Sequence, residues 1–267
     1  MLAMHSATLS YAGAVAPVAM RVSAPMMESK AELEALAKKL NPIVGYWDPM
    51  NLVDYDQFSA GQEASIGFLR QAEIKHGRVA MAAFVGYIVQ SNGIHFPWAL
   101  TTSGVTYADI SAAGSPPDQW DALPTASKVQ ILCFIGILEI CSESKYILEQ
   151  DGKAHYMSGG KPGAFPSIKK VMPHPVPFDL FDPFGLSKNA SPEKKEKGLI
   201  AEINNGRLAQ IGIMGFLAEQ KVPGSVPAIT GFVKPYAGEV MAPFSASDAG
   251  LPFVTDMLKA GPFAPGF

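Results

Sequence analysis

Two short stretches hold the residues whose types and spacing suit chemistry. Glu73-Ile74-Lys75-His76-Gly77-Arg78 opens an apolar run through Val89, and Glu202-Ile203-Asn204-Asn205-Gly206-Arg207 opens a second, mostly apolar run through Ala218. Both share one spacing: Glu, two residues, His or Asn, then Gly-Arg. On a helix, residues three apart lie on one face, so Glu73 projects with His76 and Glu202 with Asn205. Glu and Arg five apart are about 140° apart around the axis, so neither Glu is well placed to pair with the Arg of its own stretch. Two such helices crossing with approximate twofold symmetry solve the problem: Glu73 meets Arg207, and Glu202 meets Arg78. Gly77, Ala80, Gly206, Ala209 and Gly212 are small enough to let the backbones come close.

Charge inside an apolar layer is costly and normally faces a partner or a site. Each Glu has lone pairs to spare beyond an Arg contact, and His76 and Asn205 each offer one. Magnesium is a hard cation that takes such donors, and in a neutral macrocycle it needs one axial N or O ligand. A carboxylate that binds it while paired to Arg leaves no net charge in the membrane.

With these residues the chain closely resembles the light-harvesting chlorophyll-binding superfamily, over roughly Asn41 to Gln220. The resemblance implies an all-α membrane protein with three transmembrane helices, the first and third crossing with pseudo-twofold symmetry, and long Gly/Pro-rich loops. It implies that Glu73, His76, Glu202 and Asn205 are axial ligands of chlorophyll magnesium and that Glu73–Arg207 and Glu202–Arg78 are structural ion pairs. The family also places an acid and an amide ligand on its middle helix, which points to Glu139 and Gln130. It places a Gln ligand near the end of the third helix. Counted from Glu202, that position falls on Glu219, with Gln220 one residue later, so either is a candidate. The Glu-Ile-Lys-His-Gly-Arg form looks like the chlorophyll a/c antennae, and Glu-Ile-Asn-Asn-Gly-Arg-Leu-Ala-Gln looks most like the dinoflagellate peridinin–chlorophyll a/c membrane antennae. Implied cofactors are chlorophyll a, chlorophyll c and carotenoids of the peridinin and diadinoxanthin type. Implied partners are a photosystem core (I or II), neighbouring antenna subunits and membrane lipids, in the chloroplast thylakoid membrane. The implied activity is excitation transfer, not catalysis.

Composition fits these elements. Of 267 residues, 48% are hydrophobic and 17% charged, below the ~25% charged share of soluble domains. A net charge of −3 gives no nucleic-acid footprint. Gly (25) and Pro (22) are abundant, which suggests long connections between few helices. The pattern predicts helices over about 66–90, 127–148 and 194–220, with Ser191 as N-cap and Pro192 at the first position of the third. A short helix is expected over Ala31–Leu40, a loop over Ile94–Thr125, and another over Asp151–Asp179. Ala249–Leu258 reads either as a short amphipathic surface helix or as a loose tail. Residues 1–27 contain no acidic residue and read as a plastid targeting segment, leaving 28–267 as one pigment-binding membrane domain. Trp47-Asp48-Pro49-Met50-Asn51-Leu52 is echoed by Phe181-Asp182-Pro183-Phe184-Gly185-Leu186, each upstream of a Glu-containing helix, so the chain holds two related halves. Trp98, Tyr107 and Trp120 suit either an interfacial belt or ordinary packing. Cys133 and Cys141, eight apart on one helix, are about 12 Å apart along the axis and too far for a disulfide.

Two other functions compete. A di-iron carboxylate bundle uses Glu-x-x-His on two helices and a Glu on each of two others. Glu73 and His76 fit one half, but Asn205 replaces the second His and only three long helices are visible. A photoprotective, quenching member of the same superfamily would carry the same ligands.

Overall fold

The computed structural model describes residues 29–260 apart from 57, 168, 170–181, 187–188, 241 and 249. The expected targeting segment and Phe181 lie outside the described residues. The described chain is helical: α1 (Lys30–Leu40), α2 (Gln62–Ser91), α3 (Tyr107–Ser111), α4 (Pro116–Asp121), α5 (Thr125–Glu143), α6 (Lys145–Gln150), α7 (Pro192–Lys221) and α8 (Val254–Ala260), with short 3₁₀ turns at Tyr156–Ser158 and Ala246–Asp248.

Each long helix has a local reason to start and stop. Ser191 caps α7, its side chain accepting from Lys194 N, and Pro192 stands where a missing N–H costs nothing. The first long helix begins at Gln62, four residues before the expected start. Asp56 accepts the amides of Ala60 and Gly61 at 3.1 Å, and Gly61 turns the chain at φ +98° directly into the helix. The added turn, Gln-Glu-Ala-Ser, is polar, so apolar periodicity could not mark it. The middle helix is shorter than the expected 127–148. It runs Thr125–Glu143 and breaks where Ser144 is extended (ψ 117°), and α6 follows as a separate piece. The expected loop over 94–125 contains α3 and α4, each opened by a capping box, Thr106 with Asp109 and Ser115 with Asp118. The C-terminal helix begins at Val254, later than the expected Ala249.

The repeated turn has a repeated mechanism. Asp48 Oδ1 accepts Leu52 N at 3.0 Å, and Asp182 Oδ1 accepts Leu186 N at 2.6 Å, the same four-residue reach. Asn51 (φ +51°) and Gly185 (φ +69°) occupy the same left-handed position in the two copies. Asn and Gly are the residues that tolerate it. Asp48 also accepts Val53 N and the Tyr46 hydroxyl, and these bonds hold its carboxyl below its usual range despite partial burial.

The centre of the molecule is the crossing of α2 and α7. Gly77 and Gly206 face each other so closely that a Cβ on Gly206 would lie 2.9 Å from Gly77 Cα. Ile74, Ala80, Ile203 and Ala209 are buried around them. Further along, Gly212 lies under Phe84, and Phe216 stacks on both Phe84 and Tyr87, with centroids 5.1 and 4.6 Å apart. The two α-helices, 30 residues each, are about 45 Å long. Among the described residues one helix, α5, is long and apolar enough to cross a membrane by length and composition, and 6% of its apolar window is buried.

Candidate functional site

The crossing brings the two Glu/Arg stretches together. Arg78 Nε donates to Glu202 Oε1 at 2.6 Å, and Arg207 donates to Glu73 Oε1 from Nε at 2.8 Å and Nη2 at 2.7 Å. The Gly77–Gly206 contact is what lets each guanidinium reach the opposite carboxylate, since any side chain there would separate the backbones.

The pairs are not equivalent. Glu73 has a second partner that sequence reasoning missed. Buried Arg70, three residues earlier on the same face, donates to Glu73 Oε2. The i,i+3 spacing was the available signal. Glu202 Oε2 has no partner among the described residues. Arg78 has a second duty instead: its Nη1 donates to Gly163 O at 2.7 Å, while Gly163 N donates to Gln71 Oε1 at 2.6 Å. The connection after α6 is thereby strapped to α2 beside one ion pair only.

His76 and Asn205 are exposed on the outer faces of the two helices. His76 Nδ1 lies 2.8 Å from the carbonyl of Ala72. A carbonyl accepts only, so Nδ1 carries the proton and Nε2 presents its lone pair outward. Asn204, the neighbour of Asn205 and likewise exposed, donates to Leu40 O at the end of α1.

The middle-helix candidates are separate from this crossing. Glu139 lies near the end of α5, where Lys75 of α2 bridges it (2.5 Å) and Glu143 (3.1 Å). Glu143 also accepts from His155 Nε2 at 3.0 Å and from the Tyr156 hydroxyl. His155 Nδ1 takes the amide of Met157, so both of its ring nitrogens are engaged. Burial, with Glu143 beside it, pushes the Tyr156 phenol well above its usual range. Gln130 is exposed on α5.

At the end of α7, Glu219 and Gln220 are both buried. Glu219 is spent on the backbone: Oε1 accepts Gly224 N and Oε2 accepts Val226 N, each at 2.8 Å. Gln220 Nε2 donates to Lys234 O, and its Oε1 has no hydrogen-bond partner among the described residues. Trp120 is a packing residue, its indole donating to Pro243 O at 2.9 Å, whereas Trp98 is exposed and stacked on Phe96. Among the described residues no group of three or more His, Cys, Asp or Glu side chains is arranged to hold a metal ion. Cys133 and Cys141 are free thiols.

A cavity of about 380 Å³ adjoins the crossing, lined by Tyr46, Trp47, Leu52, Ile66, Arg70 and Glu73 among others. The repeated turn, the doubly paired Glu73 and the head of α2 thus share one hollow.

Comparison with known proteins points one way. A family model described as "Chlorophyll A-B binding protein" matches residues 32–221. The chain is 32% identical over 181 residues to fucoxanthin-chlorophyll a-c binding protein C of Phaeodactylum tricornutum, covering 68% of this chain and 76% of that protein. It is 32% identical over 226 residues to protein F of the same organism, covering 82% and 95%. It is 31% identical over 206 residues to fucoxanthin-chlorophyll a-c binding protein A of Macrocystis pyrifera, covering 75% and 76%.

Proposed function

The chain belongs to the chlorophyll a/b-binding protein family, and from that premise we propose that it holds chlorophyll a and chlorophyll c on Glu73, His76, Glu202 and Asn205, together with peridinin-type carotenoid. It is a light-harvesting antenna protein of the chloroplast thylakoid membrane and not an enzyme. The reading of three membrane spans, α2, α5 and α7, follows from the same premise.

The observation that carries the ligand assignment is the reciprocal pairing of Arg78 with Glu202 and Arg207 with Glu73, with His76 and Asn205 one turn away and facing outward. Bound chlorophyll supplies light absorption and excitation transfer, and the chain supplies spacing, orientation and local electrostatics. The donors fit a magnesium ring. Glu202 keeps Oε2 for a ligand while Arg78 neutralises its charge. His76 is held by Ala72 in the tautomer whose free nitrogen faces out. Glu73 is the more crowded donor, its two oxygens shared between Arg207 and Arg70. Glu139 and Gln130 are the proposed donors of the middle helix, Glu139 with Lys75 as its counter-charge. At the end of α7 Glu219 is buried and both of its oxygens hold loop amides, which makes it the weaker of the two candidates there. Gln220 remains the stronger candidate, by an Oε1 with no partner among the described residues, though Lys234 and Tyr236 close over it.

The relatives named above carry fucoxanthin in their names, and the run Glu-Ile-Asn-Asn-Gly-Arg-Leu-Ala-Gln favours peridinin here. Excitation leaves toward a photosystem core and neighbouring antenna subunits. The test is an absorption spectrum of the purified, detergent-solubilised chain, with its pigments extracted and separated. Chlorophyll a with c and peridinin supports the full reading. Fucoxanthin in place of peridinin, or chlorophyll b in place of c, overturns the pigment assignment and keeps the antenna. A folded, colourless chain overturns the function.

A further inference from the structure

The middle helix makes its polar contacts with the rest of the protein mainly at its two ends. Along its length Ile131, Phe134, Ile135, Ile137 and Ile140 are exposed. At its tail, Lys75 reaches across from α2 to Glu139 and Glu143. At its head stands a feature that no pigment ligation requires: Lys128, in the first turn, is fully buried, and its ammonium bonds Asp248 Oδ2 at 2.6 Å and Asp121 O at 3.1 Å.

Asp248 is just as enclosed, with a side-chain exposure of 2%. Its Oδ1 accepts the Thr125 hydroxyl at 2.5 Å, and its Oδ2 accepts Ser245 N at 3.1 Å besides Lys128. Asp248 thus bonds two residues of the opening turn of α5. The segment that carries it is rooted elsewhere. Lys221, the last residue of α7, donates to Gly238 O at 2.7 Å, and Tyr236 N donates to Gln220 O at 3.1 Å. The same segment is pinned to α4, where the Tyr236 hydroxyl donates to Asp121 Oδ2 at 2.5 Å and Trp120 donates to Pro243 O. The path from the end of α7 to the head of α5 is therefore continuous, and its last link is Lys128–Asp248.

A buried ion pair is a poor way to gain stability. A lysine in the first turn of a helix also opposes the helix dipole, and an apolar residue would fill the space at less cost. What the pair adds is direction, since an ammonium with two fixed acceptors allows one placement of the helix head. We propose that Lys128 and Asp248 are a positioning pair: they fix the head of α5 against the strap from α7, and thereby the distance between pigments on α5 and pigments on α2 and α7. This rests on the antenna reading above. Gln130, a proposed donor, lies two residues from Lys128.

The experiment uses the full chain assembled with chlorophyll and carotenoid. Lys128→Met and Asp248→Asn are compared with wild type and with Lys30→Met, which removes an exposed pair to Asp54 at 2.8 Å. The readouts are far-ultraviolet circular dichroism for helix content and visible circular dichroism for excitonic coupling. The expected result is at least a twofold loss of an excitonic band in both head variants, with helix content unchanged and Lys30→Met like wild type. If Lys128→Met does not assemble, Thr125→Val removes one hydrogen bond to Asp248 and leaves the charges in place; a smaller change in the same band supports the proposal. Excitonic bands unmoved in whichever of these variants assemble overturn it. A wild-type chain that takes up no pigment overturns the antenna reading itself, so the two failures are distinct.

Discussion

Gly206 and Gly77 touch backbone to backbone, and that contact sets the reach of two ion pairs at once. A Cβ on Gly206 would lie 2.9 Å from Gly77 Cα, and one on Gly77 would lie 3.1 Å from Gly206 Cα. Both obstacles are main-chain atoms, which cannot swing aside. Gly206→Ala should push α2 and α7 apart at a cost of about 1–3 kcal/mol. The check is thermal denaturation of the pigmented protein. Gly215→Ala, where a Cβ meets nothing within 4 Å, should not lower the midpoint and should raise it slightly, because Ala is the better helix former.

The two arginines of the crossing should differ in cost. Removing Arg207 leaves Glu73 still bonded to Arg70, whereas removing Arg78 leaves Glu202 without a counter-charge among the described residues and releases Gly163 O. In an apolar surround Arg78→Leu should cost about 3 kcal/mol, and Arg207→Leu about half of that. Adding Glu202→Gln to Arg78→Leu should recover part of the loss, because it removes the stranded charge. Equal costs for the two arginines would mean that Arg70 does not share the charge of Glu73.

The left-handed position of the repeated turn gives a cleaner comparison. Gly185 and Asn51 sit at φ +69° and +51°. Gly185→Val should destabilise by about 1–2 kcal/mol, since a β-branched side chain is strained there, while Asn51→Gly should be nearly neutral. Chemical denaturation of the two variants side by side decides it.

Asp248 makes the head of α5 resistant to acid. Burial opposes its ionisation, but the Lys128 and Thr125 hydrogen bonds and the Ser245 amide outweigh that and bring the carboxyl down to about 2, from an ordinary 3.8. A depressed carboxylate stabilises the folded state above its unfolded value and loses that contribution as pH falls through its folded value. The contribution, on the order of 2 kcal/mol, should therefore be complete at pH 5 and above and disappear between about pH 4 and pH 2. Limited proteolysis of the C-terminal segment, followed from pH 8 downward, should show no release until that window. Release between pH 6 and pH 5 would contradict it.

Much of the crossing was legible because it is local and repeated. The Glu-to-Arg spacing of five disfavours pairing within a helix, and the small residues mark where a second helix can come close. The geometry that brings Arg78 to Glu202 and Arg207 to Glu73 follows from those two facts. The repeated Asp-Pro turn was legible as a pattern, but its mechanism needed the backbone: only the structure shows that Asp48 and Asp182 reach the amide four residues on. Long-range polar links were not legible. Lys128 and Asp248 are 120 residues apart, and neither lies in a motif. Glu219 looked like a pigment donor by register, yet the loop that follows takes both of its oxygens. The break at Ser144 was missed because nothing in the composition of Ser127–Leu148 distinguishes a bend from a continuing turn.

The sparse cover on α5 bears on the life of the chain before it is assembled. A helix whose apolar side chains face outward over most of its length has little protein packing along it, whatever fixes its two ends. Whatever binds only the folded form stabilises it by mass action. The amount of antenna that accumulates in a cell should therefore follow the supply of pigment rather than the supply of message. Chains made when pigment synthesis stalls should then be more open to proteases, so that turnover would keep the two syntheses in step.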